Sequence, residues 1–386
     1  ELMYDQGLFA LQTAFSWGLV ISAKEINEAF LKKLPGAYNI LPLSSADDSV
    51  SYDVKFINDW IELEKYDNYW RTMDFKGISK APLLSVAGWY DIFLKQQIDD
   101  FQALLQNGNP DNRLVIGPWC HGSQGFENDY GGRKKTGNQG EIIDNYLIKY
   151  LSDKSQKVMA SPFTDKKYNF FIMERNEYFG SDVWPPKESQ PTPFYFSENS
   201  KISASIPEKK GQLQYTYKPE DPYPSLGGTA LGQGVGPAVQ NKNMERKDQL
   251  VFESDILKSP LTILGDLSAV LYVSSDALCT DFIVCIQDVF PDGNIINIQE
   301  GGAKVSFSGY QPQKKEISVW ATGYEIKGGH KLRVVITSGW FPRYNRSLNS
   351  CEPAFTATEM KPANQTLFLG AEFPSHVILP VLNENK

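Results

Sequence analysis

Histidine is scarce in this chain of 386 residues: only His121, His330 and His376 occur. Each can therefore be weighed singly as an acid or base. Cysteine is nearly as rare, and Cys120, Cys279, Cys285 and Cys351 form no CxxC pair and meet no histidine cluster. That excludes the usual zinc frameworks. Buried free thiols are the plain reading, and a disulfide stays open. No apolar run approaches the length that spans a bilayer. With a net charge of −8, there is no electrostatic case for nucleic acid or an anionic membrane surface. Asp281, Asp288 and Asp292 fit no calcium-loop spacing, and Asp292-Gly293 reads as a hairpin turn. The sequons at Asn345 and Asn364 matter only in a secretory context, for which nothing argues. Nothing implies a metal or a cofactor. The start, ELMYDQGLFALQTAFSWGL, has no initiator methionine and no signal-peptide pattern. It reads as a chain entered in mid-domain, with its compartment unspecified.

What is present is ordinary globular composition, 41% apolar and 22% charged, in a length sufficient for two or three cores. Residues 1–75 read as helix-rich: Leu8, Leu11, Phe15, Leu19 and Val20 share a helical face, and Val54 to Tyr69 reads as a further helix. Residues 76–160 alternate strand and helix. Leu83–Ala87 and Leu114–Ile116 read as strands, Ile92–Leu105 as a helix, and Glu141–Leu151 as another with Ile143, Tyr146, Leu147 and Tyr150 aligned. Such alternation predicts a parallel sheet with crossover helices. Residues 161–386 contain the proline-rich connector WPPKESQPTP and, beyond it, many short strand-like runs, among them LTILG, AVLYVSS, DFIVCIQDVF and HKLRVVITS. Strands without helices between them predict a β-sandwich or jelly roll. The expected fold is thus α/β followed by all-β.

Two positions in the alternating segment carry chemistry. In AGWYDIFLKQQIDDF, the strand read before Gly88 delivers Asp91 to the mouth of an amphipathic helix. Local chemistry favours a helix cap there, since a carboxylate accepts the orphan amides of the first turn. Thirty residues on, RLVIGPWCHG presents His121 just past the next strand. Ligands and chemistry gather at the carboxyl edge of such sheets. An aspartate bonded to a histidine fixes its tautomer and stabilises the imidazolium. Asp91 and His121 are therefore the candidate acid and base, with capping a compatible second role for Asp91. For His330 (GGHKLRV) and His376 (PSHVILP) the structural role is the better reading.

GWYDIF and IGPWCHG resemble the acid and base motifs of the cocaine-esterase-like family of α/β-hydrolases, to which X-Pro dipeptidyl peptidases are more distantly similar. DPYPSLGG, VSSDALCTDF, DVFPDG, WFPRYNRSLN and PSHVILPV resemble, in order, its C-terminal jelly roll. The resemblance implies a helical cap at 1–75, the C-terminal part of the hydrolase core at 76–160 and the jelly roll at 161–386. It makes Asp91 the triad acid and His121 the base. It also implies a nucleophile serine in a G-x-S-Y-x-G elbow that precedes both, yet no G-x-S-x-G occurs. The serine and the oxyanion donors are expected upstream of Glu1, and the chain as written should be inactive alone.

With the serine restored, the resemblance implies a hydrolase of small-molecule esters. Ile92 and Phe93 after Asp91 are apolar, which favours an apolar or aromatic acyl group. Phe93, Trp17 from the helical segment and Leu231 from LGGTALGQG are the expected lining. Three alternatives stand beside this one: an amidase, acylase or X-Pro peptidase with the same triad; a non-catalytic carbohydrate-binding jelly roll; and a subunit whose other half is a separate chain. A homo-oligomer stays open.

Overall fold

The structure, a computed structural model, describes residues 2–23, 26, 28–50, 54–106, 109–122, 139–151, 165–232 and 234–384. A short hairpin, β1 (Tyr4–Asp5) and β2 (Leu8–Phe9), leads into helices α1 (Leu11–Ser22), α2 (Glu28–Ala37), α3 (Lys55–Glu62) and α4 (Asn68–Arg71). Their apolar faces make a core of their own, in which Leu11, Phe15, Leu19, Leu43, Ile57 and Ile61 are buried. The helix expected from Val54 to Tyr69 is two. The first ends at Leu63, and Asp67 starts the second by accepting from the Tyr69 amide at 2.9 Å. A side-chain cap outcompetes helix continuation there.

The alternating segment forms β3 (Leu84–Tyr90), α5 (Leu94–Gln106), β4 (Arg113–Cys120) and α6 (Gln139–Leu151). Both strands outrun their expected limits. Gly88 does not break the first of them: the backbone carbonyl of Trp119 lies where its Cβ would be, so the glycine permits close strand contact. Gly88→Ala is expected to destabilise the fold by at least about 3 kcal/mol. Gly36→Ala, with nothing near its Cβ, should change little; urea denaturation of both variants measures the contrast. In α6 the buried position is Ile142, while Ile143 and Leu147 are exposed, which corrects the expected apolar face. The side chain of Tyr150 lies outside the described residues.

The sheet does not stop near 160. Strand β5 (Tyr168–Ile172) pairs parallel with β4, and β6 (Glu177–Ser181) pairs antiparallel with β5, giving the order β3-β4-β5-β6. Two of the strands that this sheet needs thus come from the segment assigned to the sandwich. Among the described residues, β3 is an edge strand.

The rest is β: β7 (Ser189–Phe196), β8 (Ile202–Ser203), β9 (Gly211–Tyr217), β10 (Gln249–Glu253), β11 (Leu261–Ser275), β12 (Cys279–Val289), β13 (Ile295–Ser306), β14 (Gln313–Ile326), β15 (Lys331–Thr337), β16 (Ala363–Leu369) and β17 (His376–Leu382). Half of the proline-rich connector is therefore strand β7, and LTILG and AVLYVSS are one strand with an irregularity between Asp266 and Ser268. One sheet runs β10-β15-β12-β13. The other runs β8-β7-β17-β11-β16-β9, with β14 also on β11. Phe282, Val284 and Ile286 of the first share one buried cluster with Ala269, Leu271 and Val273 of the second, as a β-sandwich requires. Asp292-Gly293 is the expected turn, with Gly293 at φ +89° between antiparallel β12 and β13. Strand β12 is buried on both faces because Leu8, Tyr223 and Trp340 cover Ile283 and Cys285.

The sandwich and the smaller sheet share their core. Trp89 donates to the Phe171 carbonyl at 2.7 Å, and Tyr90 donates to the Asn297 carbonyl at 3.1 Å. Gly323 makes room for the Trp89 ring. Cys279 and Cys351 form a disulfide between β12 and the connection after β15, while Cys120 and Cys285 are buried and unbridged.

Candidate active site

The register decides where the acid and base meet. Tyr90 of β3 pairs with Cys120 of parallel β4, so the next residue of each strand, Asp91 and His121, emerges at the same sheet edge. His121 Nδ1 lies 3.4 Å from Asp91 Oδ2. The other carboxylate oxygen, Oδ1, accepts the Phe93 amide at 2.9 Å just before α5. Capping and histidine contact thus use different oxygens of one carboxylate. Asp91 is well shielded, its side chain 16% exposed against 41% for His121. Burial raises the Asp91 pKa, against the Phe93 amide and the neighbouring imidazole, which favour its ionised form. With Nδ1 turned to the carboxylate, the remaining ring nitrogen is the one free to take a proton.

Phe93 belongs to this group by contact as well as by sequence. Its ring meets the His121 ring edge-on, centroids 5.2 Å apart and planes at 71°, and it is 36% exposed. Trp17 and Leu231 stand differently. Trp17 projects from α1 and stacks on Trp60, 5.5 Å away and nearly parallel. Leu231 precedes Gly232, at φ +112°, where a Cβ would run into Ser16 and reach Gln12 of the same helix. Helix and loop therefore meet. No hydrogen bond or ring contact among the described residues joins Trp17 or Leu231 to Asp91, Phe93 or His121.

What fixes that loop was not legible in any motif. The Thr229 amide donates to Glu300 Oε1 at 2.8 Å, and Arg343 Nη1 binds the same oxygen. Both charged side chains are almost fully buried. Arg343 also lies over the rings of Trp320 and Tyr344, which in turn donate to Asp5 at 2.6 and 3.1 Å. Asp5 faces Lys95 of α5 at 3.4 Å. One buried polar chain thus runs from the helix that Asp91 caps to the loop that carries Leu231. The nearest sequence signal was an arginine between aromatics in WFPRYNRS.

The other two histidines lie in the sandwich, away from Asp91 and His121. His330 Nδ1 lies 2.9 Å from buried Asp288, which also accepts from Tyr324 at 3.1 Å. Burial pushes the Asp288 carboxyl up to about 6. His376 contacts the Pro374 carbonyl. Among the described residues no group of histidine, cysteine and carboxylates could hold a metal ion, and no helix is long and apolar enough to cross a membrane.

Known proteins resemble this chain in sequence and fold. Residues 1–123 match the model of the X-Pro dipeptidyl-peptidase (S15) family. Cocaine esterase from Rhodococcus sp. (strain MB1 Bresler) is 28% identical over 389 residues, covering 92% of this chain and 66% of its own. The chain thus spans about two thirds of that relative's length. An α-amino acid ester hydrolase superposes with a TM-score of 0.79 at 20% identity, over 98% of this chain and 70% of its own. An aminopeptidase from a marine sediment Thaumarchaeota archaeon gives 0.77 at 20% identity over the same shares. These two show the fold. Residues 164–378, more than half of the chain, match the X-Pro dipeptidyl-peptidase C-terminal non-catalytic domain. Both family models and the curated relative lead to one assignment: the chain belongs to the CocE/NonD, X-Pro dipeptidyl-peptidase-like family.

Proposed function

We propose that this chain is the acid-and-base-bearing part of a serine ester hydrolase, completed by a nucleophile that lies outside the present sequence. The observation that carries the reading is the placement of Asp91 and His121 at the ends of paired parallel strands, 3.4 Å apart. In this reading His121 takes the proton of the serine as it attacks the ester carbonyl, then returns it to the leaving alcohol. Asp91 stays ionised and holds the imidazolium. Water attacks the acyl-enzyme in the second half, with His121 again the base.

The edge position of β3 supports a wider sheet, since the strand that leads to Asp91 has no neighbouring strand on one side among the described residues. Ile143 and Leu147 on α6, and Phe75 and Ile78 ahead of β3, are exposed apolar groups that such an addition would cover. Phe93, apolar and against the base, favours an acyl group of the same character. Trp17 and Leu231 extend that lining if the completed molecule brings α1 over the sheet edge, with residues 1–75 as a cap and the sandwich as a jelly roll. Amide hydrolysis with the same triad is the second reading, favoured by the peptidase model over residues 1–123.

A fluorophosphonate probe tests the assignment by intact mass. The 43.4 kDa chain should gain no adduct, whereas a polypeptide that carries the serine-bearing segment should gain one. His121→Ala in that longer protein should slow labelling about 10³-fold or more. An adduct on the 43.4 kDa chain itself would overturn the reading.

A further inference from the structure

A cleft lies between the N-terminal hairpin, the helices and the connection after β15, with Tyr4, Glu64, Asp281, Lys304, Arg346 and Glu352 among its walls. None of Asp91, Phe93, His121, Trp17 or Leu231 lines it. Asp281 and Lys304 are cross-strand partners on β12 and β13. The lysine, however, turns to Glu64, 3.9 Å from Nζ to Oε2. Arg346 is likewise engaged, donating to Asn39 at 2.6 Å and lying over the Phe341 ring. Asp281 is 6% exposed. Its bonded neighbour is the hydroxyl of Ser347, and no cation among the described residues forms an ion pair with it. Burial pushes this carboxyl up to about 7, outweighing Lys304 across the strands and, to a lesser degree, the Ser347 hydroxyl, both of which favour the ionised form.

We propose that this cleft binds a small organic ammonium ion, its nitrogen on Asp281 and its apolar body against Phe9, Leu11, Tyr38 and Leu43. The cation supplies the direct ion pair that Lys304, turned to Glu64, does not make with Asp281. Glu64 and Glu352 offset the charges of Lys304 and Arg346 in the same walls. Ser350 and Glu352 flank Cys351, which the disulfide ties to β12, so that side of the cleft is held in place before any ligand arrives.

Calorimetric titration of the 386-residue chain with cyclohexylamine, cyclohexanol and cyclohexanecarboxylate tests this without reading ester hydrolysis. At pH 8 the amine should bind at least about tenfold tighter than the alcohol, and the carboxylate should not bind. Asp281→Asn should remove that preference. In the unaltered chain, amine affinity should fall about tenfold from pH 8 to pH 6 as Asp281 takes up its proton, a readout that survives if the variant does not fold. An amine that binds no tighter than the alcohol would overturn the proposal. So would a preference that persists both in Asp281→Asn and at pH 6. Either failure leaves the hydrolase reading untouched.

Discussion

Asp91→Asn, made in the protein with its serine-bearing segment, is expected to lower kcat for an aryl ester by about 10⁴ while leaving the fold almost unchanged. The asparagine oxygen can still accept the Phe93 amide that Asp91 now holds at 2.9 Å, so the cap survives. What disappears is the negative charge that faces His121 Nδ1 at 3.4 Å, and with it the preference for the productive tautomer. Asp91→Ala should lose the same activity and, in addition, about 1 kcal/mol of stability from the empty cap. Steady-state kinetics beside thermal melts separate the two roles. An asparagine variant that retains a tenth or more of kcat would place the acid elsewhere.

The pH dependence has a definite sign. Burial raises the folded-state pKa of Asp91 above its usual value. Protonation therefore disables the acid at a higher pH than an exposed carboxylate would allow, and activity falls as pH drops through that raised value. The linked stability runs the other way. A carboxylate whose folded pKa is raised favours the protonated fold, so its contribution weakens as pH rises from the unfolded value through the folded one.

Arg343→Met should be the most damaging single change to stability. It removes the guanidinium beside Glu300 and leaves that carboxylate, which is fully buried, with the Thr229 amide at 2.8 Å as its remaining donor. Breaking a buried pair from one side costs about 3–5 kcal/mol. Replacing both partners, Arg343→Met with Glu300→Gln, should recover much of that loss, because neither charge is then stranded. Urea denaturation at a constant slope reads both variants. Equal stability of the single and double variants would mean that ring packing on Trp320 and Tyr344, not charge, is what Arg343 supplies.

Residues close in sequence to a strong pattern were the legible ones. The strand end and the helix period after Asp91 placed that carboxylate at the sheet edge. The same logic placed His121, because two parallel strands joined by a crossover helix must end at one edge. Gly88 was misread because a glycine inside an apolar run signals a break as readily as a close approach, and the group that approaches, Trp119, is thirty-one residues away. The face of α6 was misread because apolar periodicity reports what a helix can bury, and Ile143 and Leu147 remain exposed in this chain. The pairing Cys279–Cys351 was left open because spacing of 72 residues carries no geometry. Glu300, Arg343 and Asp5 were invisible for a related reason: their partners lie in other elements, and no local period records a contact between strands and loops.

The edge position of β3 among the described residues has a consequence for anyone who handles this chain alone. A strand with no neighbouring strand on one side accepts another readily, and neither lysine nor proline interrupts Leu84–Tyr90 to deter it. Copies of the chain are expected to add to one another there, in a concentration-dependent way that light scattering would register. A short peptide of the sequence Leu84–Tyr90 should compete for that edge and keep the solution clear.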